Sequence, residues 1–579
     1  MPCKVRQVRK DGKNRNRCYG CCHKDGWAGR SGDEKRCKFF RWLTPSEVGS
    51  SPRAKKACWA PVAAPTDALD ERVNGGTWLD SRRCTRLRLW GADGPRPGDV
   101  GQGSLGDCWF LSAISVIAGS GEERIRRLFS KGSGDGGGAY EVFFWVDGEE
   151  EGVVVDSHLP VRRVEDAHKK KRKASTPHAV VHPSNEVKPG GEGKAGAEEV
   201  IPLYSKTING TLWVPVLEKA YAKRHGCYDA LSGGWVWEAL FDMLCAPCEV
   251  LHLQLHADGD KKELLWSTIL SFVEAKFVTG ASCMRSNKEE GLVGLHAYSL
   301  LDAKEIYDVK TGEQTKIDAH FTSDAEVQVV GEWKPGDIGG GRRNLRLVRL
   351  RNPWGKKGFT GEFGEKDERW TKRLRELVGY SSADEGRGDF WMTYERFLTA
   401  FTSVDVCKYR DGWSNISLPD VFKANENPYG EGSVTKCSAG CFVVDCDGSS
   451  SMILYVTTVQ KKRRGGPVGG PGTLPALVDA SFVVSKRRKG GAEEAWEPES
   501  LHCCGETRLN SAELMINPGW QYMVTPFRTK NIEDDVPFRI LLYSPRPPKV
   551  ERVDHPGTIT QGIKGDDIMT CLQKIPSER

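Results

Sequence analysis

The chain has 579 residues, with 84 Lys and Arg against 78 Asp and Glu for a formal balance of +6, and its 38% apolar and 28% charged content is that of a globular protein. The length suggests three or four domains with material for real cores, which excludes wholesale disorder. No run approaches the ~18 uninterrupted apolar residues of a membrane span, and the opening MPCKVRQVRKDGKNRNRCYG lacks the apolar segment of a secretory signal, so a soluble cytoplasmic protein is expected. Nineteen cysteines, an odd number scattered over a long chain, argue for reduced thiols, a metal site or a nucleophile rather than a disulfide framework.

Residues 1–66 read as a basic appendage carrying Lys4, Arg6, Arg9, Lys10, Lys13, Arg15 and Arg17. Its cysteines, Cys3, Cys18, Cys21, Cys22 and Cys37, with His23, contain one C-x2-C pair and a further ligand. A Zn2+ knuckle is one reading, and loose thiols in a disordered tail the other. From 67 the texture is globular, and the apolar runs at 142–146 (VFFWV) and 153–155 predict strands. Residues 162–200, with KKKRK and EVKPGGEGKAGAEE, bury too little apolar surface to order themselves and read as a solvated insertion. Helical spacing returns at 212–223, and strand patterns follow at 296–301 and 345–350, where Arg346 and Arg349 break the apolar positions. After 411, β-branched runs at 452–459, 481–484 and 538–543 separated by Gly, Pro and Ser clusters predict an all-β sandwich reaching 548, followed by a tail over 549–579. The basic runs at 169–173, 461–464 and 486–489 fit nuclear signals, nucleic-acid contacts, attraction to anionic lipid, or plain solvated loops. An anionic membrane surface is the best functional reading of the three, and no nucleic acid is expected.

The most informative segment is GQGSLGDCWFLSAISVIAG at 101–119. Gly106 and Asp107 offer a turn and a cap, so Cys108 falls in the first turn of an apolar helix. The positive helix end and a neighbouring imidazolium would lower its thiol pKa from about 8.5, giving a thiolate. Gln102, six residues upstream, could place an amide beside the Cys108 backbone N–H to hold an oxyanion. His296, in the apolar strand LHAYSLL, is the candidate base, and Asn352, in RLRNPWG where Pro353 ends the ladder, is the candidate orienter, with Trp354 positioned to shield their bond. Cys, then His, then Asn is the chain order of a papain-type triad.

These segments resemble the calpain family of cysteine proteases. VVVDSHLP at 153–160, LWVPVLEKAYAKRHGCYDALSGG at 212–234, GLVGLHAYSL at 291–300 and DFWMTYERFLTAF at 389–401 match its protease core in order over about 85–408. GWQYMVTPFRTK at 519–530 and VPFRILLYS at 536–544 resemble its C2-like sandwich. The resemblance implies an α+β, papain-like core of two subdomains, 67–252 bearing the Cys and 253–410 bearing the His and Asn, followed by an all-β C2-like sandwich at 411–548. It implies a Ca2+-dependent endopeptidase acting on protein substrates, with Cys108, His296, Asn352 and Gln102 in the site. Asp99 and Glu218 stand where the family's first core ion site has carboxylates. At the second, Gly358 and Arg387 replace acidic positions, leaving Glu365 and Asp389 as ligands. Leu295 replaces the Gly common before the catalytic His, and no D-x-[DN]-x-[DN]-G loop marks an EF-hand domain. A non-catalytic scaffold or lipid-binding interaction protein is the rival expectation.

Overall fold

Three short antiparallel strands stand at the start of the computed structural model, β1 (Cys3–Gln7), β2 (Cys18–Cys22) and β3 (Phe40–Trp42), with Cys3 opposite Cys22 in register. Beyond them the structure describes 77–81, 87–131, 133, 139–163, 200–256, 259–287, 289–308, 327–329, 345–356, 358–380, 387–424, 436–437, 440–446, 448–461, 477–490, 496–529 and 531–554. The zinc expectation and the insertion expected at 162–200 fall largely outside the described residues.

The thiol-bearing half is organised by one helix that is apolar on every side. In α1 (Cys108–Ser120) all ten residues from Trp109 to Ala118 are buried, as a helix without a polar face must be. Around it lie β4 (Thr77–Asp80), α2 (Glu122–Arg126), the hairpin β5 (Ala139–Val146) and β6 (Glu149–Asp156), then β7 (His158–Arg163), β8 (Val200–Pro202), α3 (Trp213–Arg224) and α4 (Val236–Leu244). Tyr221 of α3 stacks on Phe110 of α1 at 4.7 Å and meets Phe144 of β5 at 5.2 Å, joining helices and hairpin in one apolar centre. Helix α3 covers the expected 212–223 with a shift of one residue, and both predicted strands lie in the hairpin.

The second half is a mainly antiparallel sheet of β9 (Cys248–His252), β10 (Val278–Cys283), β11 (His296–Asp308), β12 (Val327–Val329), β13 (Leu345–Arg351), β14 (Asp389–Thr393) and β15 (Ser403–Cys407), in the spatial order β14-β13-β11-β10-β15-β9 with β12 also on β11. Helices α5 (Gly259–Glu274), α6 (Lys372–Val378) and α7 (Tyr394–Ala400) accompany it. The buried Ser112 hydroxyl of α1 donates to the Ala297 carbonyl at 3.0 Å, and Ser299 of β11 donates back to the Ser112 carbonyl at 2.9 Å. Two polar side chains in an otherwise apolar contact thus fix how α1 lies on β11, since only this register satisfies both.

The remaining strands form two stacked sheets. One runs β16 (Ser414–Phe422), β24 (Val536–Ser544), β19 (Met452–Gln460), β22 (Leu509–Ile516). The other runs β21 (Glu497–His502), β20 (Ser481–Arg488), β23 (Trp520–Arg528), β18 (Gly440–Asp445), β25 (Lys549–Asp554), with β17 (Lys436–Cys437) on β23. Phe422, Leu454 and Ile540 of the first face Phe442, Val484 and Val524 of the second in one core. Tyr455, Val459, Leu541 and Tyr543 point the other way and join the core of the thiol-bearing half. The basic run at 486–489 is occupied within the module: Lys486 pairs with Glu499 at 2.5 Å and Arg487 stacks over Trp496 at 4.4 Å. No described helix is long and apolar enough to cross a membrane.

Candidate active site

Cys108 is the first residue of α1, as its position after Gly106 and Asp107 implied, but Asp107 does not cap the helix through its side chain. That carboxyl is fully buried and faces Glu218 of α3, and burial together with the Glu218 charge holds its pKa well above the carboxylate range. A neutral Asp107 suits its place, because a negative charge there would oppose ionisation of the adjacent thiol.

The backbone N–H of Ala297, the residue next to His296, faces the Cys108 sulfur and, with the N–H groups of Trp109 and Cys108, favours its anion. This places the thiol beside the start of β11, the strand that His296 opens. His296 opens β11, and its Nε2 lies 2.9 Å from Asn352 Oδ1. The same Oδ1 accepts the Trp354 backbone N–H at 3.0 Å, which fixes which end of the amide is oxygen. Nε2 must then be the donor, so the neutral imidazole carries its proton on Nε2 and leaves Nδ1 as the base. Asn352 is 1% exposed, and the Trp354 ring stands 5.2 Å from the imidazole, so the bond is kept from water. The Asn352 N–H donates to the Gly388 carbonyl at 2.9 Å; Gly388 has φ +93°, and a Cβ on it would stand 2.6 Å from the Asn352 carbonyl oxygen, so only glycine fits.

Burial acts on both reactive groups in the direction of neutrality. It pushes the thiol up against the three N–H donors, and the imidazole down against the Asn352 contact. Desolvation thus opposes the thiolate expected from the helix end and a neighbouring imidazolium. If His296 works as the base, it must be neutral, and a lowered pKa keeps it neutral further into acid. The acid limb of kcat/KM for a peptide substrate is expected to have its midpoint below the ordinary imidazole value of 6.5; a pH–rate profile breaking above that value would contradict the assignment.

Gln102 is not aimed at the sulfur. Its Nε2 donates to the Leu105 carbonyl at 2.7 Å and approaches Asp107 Oδ1 at 3.5 Å, while its backbone N–H donates to the Pro353 carbonyl at 2.8 Å. Leu295, before His296, is 78% exposed at φ +51°, the left-handed region that the family's glycine adopts without strain.

Asp99, Glu218 and Asp389, three of the four candidate ion ligands, are engaged by groups of the chain itself. Asp99 ends a 3-10 turn (Pro97–Asp99), and its two oxygens accept from Asn209 at 2.8 Å, Trp213 at 3.0 Å and the Arg96 N–H at 3.0 Å. Glu218 is committed to Ser205 and Asp107. Asp389 is held by Arg349 and Arg351. Among the described residues no group of three or more His, Cys, Asp or Glu side chains is placed to hold a metal. Carboxylates already saturated by N–H donors or guanidinium groups do not fit a hard cation that needs six to eight open oxygens.

A model for calpain family cysteine proteases matches residues 66–180 and 196–408. Calpain-type cysteine protease DEK1 of Arabidopsis thaliana is 30% identical over 336 residues, which are 57% of this chain and 12% of that protein. Calpain-12 of Homo sapiens is 28% identical over 345 residues (58% of this chain, 38% of the relative), and Calpain-5 of Caenorhabditis elegans 28% over 396 (62% and 52%). The chain spans about half or less of the length of these relatives.

Proposed function

Because the chain belongs to the calpain family of cysteine proteases, we propose that it is a cytoplasmic endopeptidase that cuts protein substrates through Cys108, His296 and Asn352. The observation that carries this reading is the hydrogen bond from His296 Nε2 to Asn352 Oδ1, with the Cys108 sulfur on the neighbouring Ala297 N–H. In the reaction the Cys108 sulfur attacks the peptide carbonyl carbon as its proton passes to His296 Nδ1. The Cys108 N–H holds the oxyanion, joined by Gln102 once its amide leaves the Leu105 carbonyl. His296 then gives the proton to the departing amine, and the thioester is hydrolysed by water deprotonated at the same nitrogen.

The family resemblance implies calcium dependence, but the placed carboxylates do not fit the ion, and no step is routed through it. On the segments around 519–544 we read the two-sheet module as C2-like, with an anionic surface as its partner.

Two measurements test the proposal. A peptidyl epoxide should label the intact chain, with the adduct mapping to Cys108; mapping to any other thiol rejects the nucleophile. Gln102→Ala is expected to lower kcat about a hundredfold with KM little changed, the usual cost of one oxyanion donor. An unchanged kcat would mean that the amide stays on Leu105 throughout.

A further inference from the structure

At the junction between the two halves of the protease core, arginine side chains lie against carboxylates expected as ion ligands. Arg351, the last residue of β13 and the neighbour of Asn352, is wholly buried. Its Nη2 donates 3.0 Å across the junction to the Val100 carbonyl, beside Asp99. Its Nη1 donates to the Asn352 carbonyl at 3.2 Å, and its Nε lies 3.5 Å from Asp389 Oδ2. Arg349 holds the other oxygen of Asp389 at 3.2 Å. The electrostatic neighbours of the Arg351 guanidinium are Asp389 and Asp99, which favour its charge, and Arg349 and Arg387, which oppose it. Arg387 Nη1 reaches the turn bearing Asp99, since a Cβ on Gly98 would stand 3.7 Å from it.

Asp99 and Asp389, one carboxylate from each would-be ion site, thus flank a single guanidinium. Three arginines face two carboxylates, a balance that repels a further cation. The planar fork of Arg351 also does what one point charge could not: it ties the peptide of the proposed orienter to the end of the 3-10 turn that carries Asp99 in the opposite half. Beside it the Gln102 N–H donates to Pro353 at 2.8 Å, and Lys206 donates to the Trp354 carbonyl at 3.2 Å, so the loop carrying Asn352 is fastened to the opposite half on both sides.

We propose that Arg351 is a positioning residue that closes the cleft as a built-in cation, so that thiol and imidazole are aligned without calcium. The inference rests on the proposed endopeptidase reading for its purpose, but its test does not need turnover. Amide hydrogen exchange over 98–107, which contains the Gln102 N–H that crosses the junction, reads closure directly. The intact chain should show the same protection in chelator and in millimolar calcium, and the same rate of labelling by a peptidyl epoxide within about twofold. Arg351→Met should exchange about tenfold faster over 98–107 and label about tenfold more slowly at unchanged reactivity toward iodoacetamide. Calcium should not restore it, and Arg351→Lys, which keeps charge without the fork, should recover only part.

If Arg351→Met does not fold, Asp389→Asn serves instead, leaving the guanidinium in place without its counter-charge; a several-fold loss of protection is expected. Protection that appears only with calcium, or that survives both substitutions, would overturn the proposal. Closure in chelator with no peptide cleavage under any condition would instead reject the endopeptidase reading and leave the role of Arg351 standing.

Discussion

Replacing Cys108 by Ala is expected to abolish peptide hydrolysis, lowering kcat/KM by about 10⁴-fold or more, while the chain still folds. The expectation follows from what the other members of the site can do alone. His296 and Asn352 can move a proton, and the Cys108 N–H can hold an oxyanion, but none supplies the electron pair that makes the covalent bond, and residues acting as one unit fail together. The fold should tolerate the change because Cys108 lies at the end of α1, only partly buried against the core, while the helix is fixed by Trp109 to Ala118 and by the Ser112 exchange with β11. Unfolding free energy should fall by about 1 kcal/mol. Hydrolysis of a fluorogenic peptide and of casein by both proteins, with thermal unfolding as the control, checks this. Activity that persists in a folded Cys108→Ala chain would remove the nucleophile from the site.

The second large effect concerns the seam between the two-sheet module and the protease core. Arg508, 3% exposed, reaches out of the module into the thiol-bearing half, where Nη2 lies 2.6 Å from Asp242 Oδ1 and 3.2 Å from Asp147 Oδ1. Asp242 also accepts the Tyr221 hydroxyl at 2.7 Å, and Tyr221 is the ring stacked on Phe110 of α1. One guanidinium therefore neutralises two buried carboxylates and connects, through Tyr221, to the helix that carries the thiol. Arg508→Met is expected to cost about 3–5 kcal/mol, because it removes the guanidinium counter-charge from two buried carboxylates.

The pH dependence has a definite sign. Burial already holds Asp242 above the usual carboxylate range against the pull of Arg508, and removing the guanidinium raises it further. A folded-state pKa above the unfolded value means that the folded variant binds more protons at intermediate pH. Its deficit should be full above that raised value and shrink as pH falls toward the ordinary aspartate range. Asp242→Asn in the Arg508→Met background should recover part of the loss. Urea unfolding between pH 4 and 8 checks both statements; a deficit that does not vary with pH would place the cost in packing rather than charge.

How much was legible beforehand differs residue by residue. Apolar continuity from Trp109 to Ala118 made α1 a buried helix wherever it packed, and the apolar runs at 142–146 and 153–155 marked two strands, since both patterns depend only on neighbours along the chain, whereas their pairing as a hairpin came from the structure. The order of Cys108, His296 and Asn352 and the motifs around them were equally local. Arg351 was not legible as a buried residue. An arginine at a strand end ordinarily faces water, and nothing within ten residues reveals that Val100 and Asp99 will cover it from the other half of the core.

The sequence by itself determined the apolar helix, the strands and the identity of the chemical groups, because these follow from side-chain periodicity and residue type. Only the tertiary structure decided their charge states and companions. Burial pushes the thiol and Asp107 up and the imidazole down, each toward its neutral form. Contacts between distant segments turned Asp99, Glu218 and Asp389, all readable as ion ligands, toward N–H groups and guanidinium groups of the chain itself.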